Sequence, residues 1–342
     1  MPGKLALLLK PLILRLIALA ERYPGTLAAV GFVSGVASFI LVDRQAELAR
    51  VIAALMLVSW IWLTLENVLR DGLARRFGLD LPPVVLKFAT QLVHQESLFF
   101  VLPFFFFSTS WDSGQLIFTG LLMLGALVSI IDPLYYNWLS KRRWLYLGFH
   151  SLTLFAVLLT ALPIIIHLTT AQSYQLAMAI TLLLSFPSLS QTVPLQTLWR
   201  VPLLGLMLFG LGAAMWLAQL WVPPATLRLA DMTVSAQMDR DRRTPGLAVR
   251  TVSAEVLRDN GLFAYTAIHA PRGLNERIYH VWRHEGQEVD RIALDITGGR
   301  EAGYRAWTRK RLFPAQPVGR WQVKVITEGG QLLGVLRFEV VQ

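Results

Sequence analysis

Residues 201–222 read VPLLGLMLFGLGAAMWLAQLWV and carry no charged side chain. A helix of about 20 such residues crosses the hydrocarbon core of a bilayer. Before this stretch lie apolar segments of similar length. After it the hydrophobic runs shrink to a few residues that alternate with polar ones. The stretch therefore reads as the last membrane helix and the stalk of a soluble domain. Hydrophobic residues make up 54% of the chain, and arranged in continuous runs they exceed what a water-soluble core uses.

Seven segments qualify as candidate spans: 26–42, 48–65, 84–107, 115–131, 145–166, 174–190 and 201–222. The expected fold is an all-α membrane bundle of about seven spans over residues 24–222, followed by an all-β immunoglobulin-like sandwich over 223–342. Residues 1–23 are too often charged to span. Lys4, Arg15 and Arg22 share one side of a helical wheel among leucines, the pattern of an interfacial amphipathic helix. Arg50, at the outer end of the second segment, reaches water by snorkelling. Gly31 and Gly35 in the first give the small-xxx-small spacing of close helix packing.

Lysine and arginine set the orientation. The N-terminus and the loops after the second, fourth and sixth segments hold eleven (Lys4, Lys10, Arg15, Arg22, Arg70, Arg75, Arg76, Lys141, Arg142, Arg143 and Arg200), while the alternate loops hold Arg44 and Arg50. This places the N-terminus in the cytoplasm and, with an odd number of spans, the C-terminal domain outside.

From residue 223 the period becomes two. Leu227/Leu229, Phe263/Tyr265/Ala267, Ile292/Leu294/Ile296, Trp321/Val323/Val325 and Leu336/Phe338/Val340 each point to one face. Asn260-Gly261, Pro271-Arg272-Gly273, Glu285-Gly286, Gly298-Gly299 and Gly329-Gly330 mark turns between them. Short strands at this spacing, with no helical pattern, predict a sandwich. Residues 237–246 read as an exposed loop or linker.

The run His280-Val-Trp282, Trp307-Thr-Arg-Lys310, Gly319-Arg-Trp321-Gln-Val323 and Phe338-Glu-Val340 resembles a C-terminal domain of unknown function found in bacterial envelope proteins. The segments in front of it are similar to the membrane regions that accompany that domain in uncharacterised inner-membrane proteins. The resemblance implies a bacterial source, an inner-membrane location and a periplasmic C-terminal domain, and it supplies no activity.

Formal charge is +10, divided evenly between residues 1–223 and 224–342. Cytoplasmic loops account for the first half. The second is a mild bias towards anionic partners, a glycan, a lipid or an envelope protein, beside membrane lipid. Nucleic acid is not expected. The absence of cysteine removes disulfides, thiolate metal sites and thiol nucleophiles together. No phosphate-cradling loop, nucleophile elbow or carboxylate pair appears, so neither a cofactor nor an enzyme activity is expected.

Two sets of residues carry the remaining chemistry. In the third segment Lys87, Gln91 and His94 share a helix face and Glu96 points away from it, with His150 and Ser151 of the fifth segment as candidate partners. This set reads either as a hydrogen-bonded network that fixes packing or as a proton relay in a transporter or channel. The rim residues Ser108, Ser110, Asp112 and His167 are too generic to carry an enzyme acting on lipid-linked substrates. Asp132 is expected to pair with the basic loop 141–143. In the sandwich, His280, Trp282 and His284 share a strand face, but two histidines lack the third ligand a metal site needs, so no metal is expected. Trp282, Trp307 and Trp321 read as core, with a sugar-stacking platform as the alternative. Arg305, Arg309, Lys310 and Arg311 form the densest basic patch, with Arg305, Trp307 and Arg309 alternating onto one strand face; it reads as a charge-blunted edge strand or as a contact for an anionic ligand.

Overall fold

Whether an apolar run can cross a membrane as a helix depends on its length and on how far polar residues dilute it. The computed structural model describes residues 50–61, 63, 83–192 and 200–342, with isolated positions at 15, 18, 22, 33 and 37. Among these residues two helices are long and apolar enough to cross a membrane, Arg143–Ile166 and Val201–Trp221. A third is reached only if the bent pair Gln115–Ile130 and Pro133–Leu139 is one span. The expected bundle of about seven spans is corrected accordingly.

The reasons lie in the residues. Among the described residues, helix α1 (Arg50–Ile61) is an apolar helix of less than spanning length. Helix α2 (Pro83–Ser108) is long but carries Lys87, Gln91, His94, Gln95 and Glu96 within its first 14 of 26 residues. Helix α3 (Gln115–Ile130) stops where Asp132-Pro133 intervenes. Proline lacks the N–H that would continue the ladder, and the chain resumes as a π-helical segment (Pro133–Leu139) bent by 102° from α3. Helices α4 (Arg143–Ile166) and α6 (Arg200–Ala218) stay apolar enough to cross, although α4 carries His150, Ser151, Thr153 and Thr160, whereas α5 (Thr170–Thr192) is punctuated by Gln172, Ser173, Gln175, Thr181 and Ser185. The first candidate span, the Gly31/Gly35 pair, the interfacial helix over 4–23 and the loop with Arg70, Arg75 and Arg76 fall outside the described residues, apart from isolated positions.

The chain divides into two compact units. One comprises residues 1–103, 120–161 and 177–212; the other comprises 104–119, 162–176 and 213–342. The second unit thus combines the β-rich region with the helix ends that fall within 104–119, 162–176 and 213–221.

That β-rich region is two sheets around a common core. Strands β1 (Arg228–Ser235), β5 (Leu262–His269) and β8 (Tyr304–Lys310) form one sheet in the order β1-β5-β8. The other contains β4 (Thr251–Ser253), β6 (Asn275–His284), β7 (Gln287–Thr297), β9 (Gly319–Thr327) and β10 (Leu332–Val341), in the order β4-β10-β9-β6-β7. Residues two apart along β9 and β10 (Trp321, Val323, Leu336, Phe338, Val340) meet Val234 of β1 and Ala264 of β5 in one buried cluster. Ile278, Ile296 and Val325 meet Ile268 and Ala306 in a second. All pairings are antiparallel except β4 with β10, which is parallel.

Two details differ from the all-β expectation. A short helix, α7 (Ala254–Asn260), follows β4. Ser253 caps it by accepting from Val256 N, and Gly261 ends it at φ +67°, where a side-chain carbon would fall 2.5 Å from the Lys310 carbonyl oxygen. The expected linker 237–246 pairs on itself, β2 (Met238–Asp239) with β3 (Thr244–Pro245). The Asp239 carboxylate accepts from the backbone N–H of Asp241 and of Arg242 in the turn.

Candidate functional site

In the first unit the polar face of α2 turns inward. Gln91, His94 and Ser97 are spaced by about one helical turn, and all three are buried, His94 completely. The π-helical segment brings Tyr135 beneath His94, with Tyr135 Oη 2.8 Å from His94 Nδ1. The other ring nitrogen, His94 Nε2, lies 3.0 Å from His150 Nδ1 on α4. Trp60 of α1 packs against both imidazoles, at 5.6 and 4.8 Å between ring centres, and its Nε1–H donates to Ser97 Oγ. Tyr146 stacks on His150, and Phe149 meets His94 edge-on. Beside this group Gln91 donates to Asp132 Oδ1 and to the Ser129 carbonyl, and accepts from Tyr136 Oη. Asp132 is therefore bound by Gln91; the expected pairing with the basic loop is corrected.

Of the predicted set, His94, His150 and Gln91 are drawn into this cluster. Lys87 is exposed, and Glu96 is half-buried, neither of them bonded to His94. Trp60, Tyr135 and Tyr136 were not flagged by sequence. The usable signal was Asp132-Pro133 followed by two tyrosines, a break that redirects aromatic hydroxyls inward.

In the second unit, helix ends are tied to the sandwich. Glu276 of β6 is 3% exposed, and its two oxygens accept from the backbone N–H and the hydroxyl of Thr170, each at 2.8 Å. Thr170 opens α5, so a carboxylate sits where the helix has orphan N–H groups and a positive dipole end. Burial pushes the Glu276 carboxyl up from its ordinary range, and the two Thr170 bonds pull against that shift. Gln331 of the β9–β10 turn donates to the Val222 carbonyl. Gln115 of α3 donates to the Leu332 carbonyl, and Arg337 pairs with Asp112. The domain thus does not hang from a single stalk.

The flagged sandwich residues separate. His280 is fully buried between Thr266 and Thr308, with hydroxyl oxygens 3.2 Å from Nε2 and 3.0 Å from Nδ1, and burial lowers its pKa to about 4. Trp282 and Trp321 are buried core, out of reach of a sugar ring. His284 stacks on Trp321 and contacts the Val318 carbonyl, beyond a bulge between Trp282 and Arg283. No group of three metal-ligating side chains occurs among the described residues. The basic patch divides as well. Lys310 points inward and pairs with Asp290 at 2.8 Å. Arg305, Trp307 and Arg309 alternate with it on the other face, Arg305 donating to the Arg242 carbonyl and Arg309 to that of Asn260. Arg311 is exposed.

A family model described as a family of unknown function (DUF5924) matches residues 7–264. The chain belongs to this family. A second model, a protein of unknown function (DUF2914), matches residues 275–340. No curated protein and no solved structure matches the chain. The boundary between the two matched regions cuts the sandwich. Strands β1–β4 and the first three residues of β5 lie in the DUF5924 region, and β6–β10 lie almost wholly in the DUF2914 region. The sheet pairings and the Glu276–Thr170 bonds join the two. The His94–Tyr135–His150 cluster belongs entirely to DUF5924.

Proposed function

We propose that the chain is a bacterial inner-membrane protein that presents its sandwich on the periplasmic side, where it binds or scaffolds an envelope component. The observation that carries this reading is the multiple attachment of helix ends to the sandwich, with the buried Glu276–Thr170 contact at its centre. A domain bonded at several points to helix ends within its own compact unit suits a platform better than a tethered module. Orientation follows from the two apolar helices. Each carries basic residues at its start (Lys141, Arg142 and Arg143; Arg200) and runs at its end into the unit that holds the sandwich. The positive-inside rule then puts the sandwich outside. The strand order, with β4 parallel to β10 at a sheet edge, supports an immunoglobulin-like reading of the sandwich.

The partner class is anionic glycan, lipid headgroup or envelope protein, in keeping with the excess of basic residues after residue 223. Detergent-purified full-length protein is expected to co-sediment with at least one of purified envelope glycan and anionic vesicles, or to cross-link to a defined envelope protein in intact cells. Failure in all three removes the scaffold role.

A further inference from the structure

We propose that Tyr135, His94 and His150 form a proton relay inside the helical unit. An imidazole–imidazole hydrogen bond exists only while one of the facing nitrogens carries a proton and the other is bare. His94 has a partner on each nitrogen, at 2.8 and 3.0 Å. Its one ring proton serves one of these bonds, and the other must be donated to it. Two arrangements follow. In the first, Tyr135 O–H donates to His94 Nδ1, and His94 Nε2–H donates to His150 Nδ1. In the second, His150 Nδ1–H donates to His94 Nε2, and His94 Nδ1–H donates to the Tyr135 oxygen.

One proton passing through converts the first into the second. It arrives on the Tyr135 oxygen as the tyrosine's own proton moves to His94 Nδ1. The proton on His94 Nε2 moves to His150 Nδ1, and the proton on His150 Nε2 leaves. Three O–H or N–H bonds break and three form, and no group in the chain is left charged. A proton travelling back restores the first arrangement, and one-way flow requires the imidazoles to turn between passages.

The surroundings suit transfer. His94 is fully buried, Trp60 covers both imidazoles, and Tyr146 and Phe149 close other sides, so water does not compete for these bonds. His150 is only half-buried, which gives the chain one less enclosed end. Tyr135 sits in a π-helical segment, a geometry that re-aims side chains and recurs at functional positions.

The relay rests on the membrane placement of these helices and not on the scaffold role. The full chain is reconstituted into vesicles, and dissipation of an imposed pH gradient under valinomycin is followed with a trapped dye. Wild type is expected to exceed protein-free vesicles, and Tyr135→Phe and His150→Asn to lose about tenfold of that excess, with Ser151→Ala unaffected. Ser151 is the packing control, since it bridges α4 and α5 through Ser185 at 3.0 Å outside the relay. Wild-type vesicles no leakier than empty ones, Tyr135→Phe with wild-type flux, or Ser151→Ala losing as much as Tyr135→Phe would each overturn the relay. Flotation with the vesicles tests membrane placement separately, and a chain that does not float overturns both readings.

Discussion

Two side chains show what burial does to chemistry that looks functional in a sequence. Trp321 is 1% exposed, donates from Nε1 to the Pro317 carbonyl at 2.8 Å and stacks on Phe338. Trp321→Ala removes a large ring from the middle of the sandwich and is expected to cost about 3–5 kcal/mol, read as a lower thermal midpoint of the purified protein. A change under about 0.5 kcal/mol is what a surface site gives, and would place the ring outside the core. His280 makes a prediction about pH. Its folded pKa of about 4 lies below the ordinary 6.5. Below pH 6.5 the unfolded chain takes a proton that the folded one refuses. Stability therefore falls as pH drops towards 4, by up to roughly 3 kcal/mol from this group. His280→Gln can still bond both threonines and has no such titration. Its thermal midpoint should fall less than that of wild type between pH 7 and 4.5; equal slopes would show that His280 is accessible to protons in the folded state.

At the scale of elements, the legible features are those whose cause is local. Alternation fixed the inward faces of β9 and β10, because a period of two leaves no other way to bury Trp321, Val323, Phe338 and Val340 together. Asn260-Gly261 announced a turn for the same reason, since φ +67° at residue 261 suits glycine. Helix α7 was hidden because it is 7 residues long, too short for helical periodicity to register, although Ser253 with Glu255 just after it is a start signal in hindsight. Ser253→Ala should cost about 1 kcal/mol, seen as faster amide exchange over 254–260; unchanged exchange would mean that packing of Leu257 alone holds the helix. The apolar segments misled for a different reason. Counting hydrophobic residues does not register that Asp132-Pro133 ends α3 or that Gln, Ser and Thr recur along α5, and both features shorten or dilute a span. The histidine cluster was half legible. Its α2 members share one face by spacing, whereas Tyr135 enters only through a bend of 102° that no periodicity announces.

For the whole molecule, the first expectation is topological. A reporter active only in the periplasm, fused after Gln342, should work, and activity confined to a cytoplasmic reporter would reverse the orientation argued from Lys141–Arg143 and Arg200. The second asks how the sandwich is held. Its two buried clusters contain only residues beyond 223, so residues 223–342 alone are expected to fold. What they lose are contacts at one end: Thr170 for Glu276, Val222 for Gln331 and Asp112 for Arg337. The Arg337–Asp112 pair is more than half exposed on both sides and contributes little. Glu276 is different, because in the full chain its removal leaves the first N–H of α5 and the Thr170 hydroxyl buried without an acceptor, a loss of about 1–3 kcal/mol. In the fragment the same carboxylate faces water, and truncating it should matter by less than about 0.5 kcal/mol. Glu276→Ala is therefore expected to destabilise the full chain by at least about 1 kcal/mol more than the fragment, each compared with its own parent by thermal or denaturant unfolding. Non-additivity of that size is the mark of a direct contact. Equal effects in both would mean that Glu276 does not hold α5, and the platform would give way to a domain on a flexible stalk.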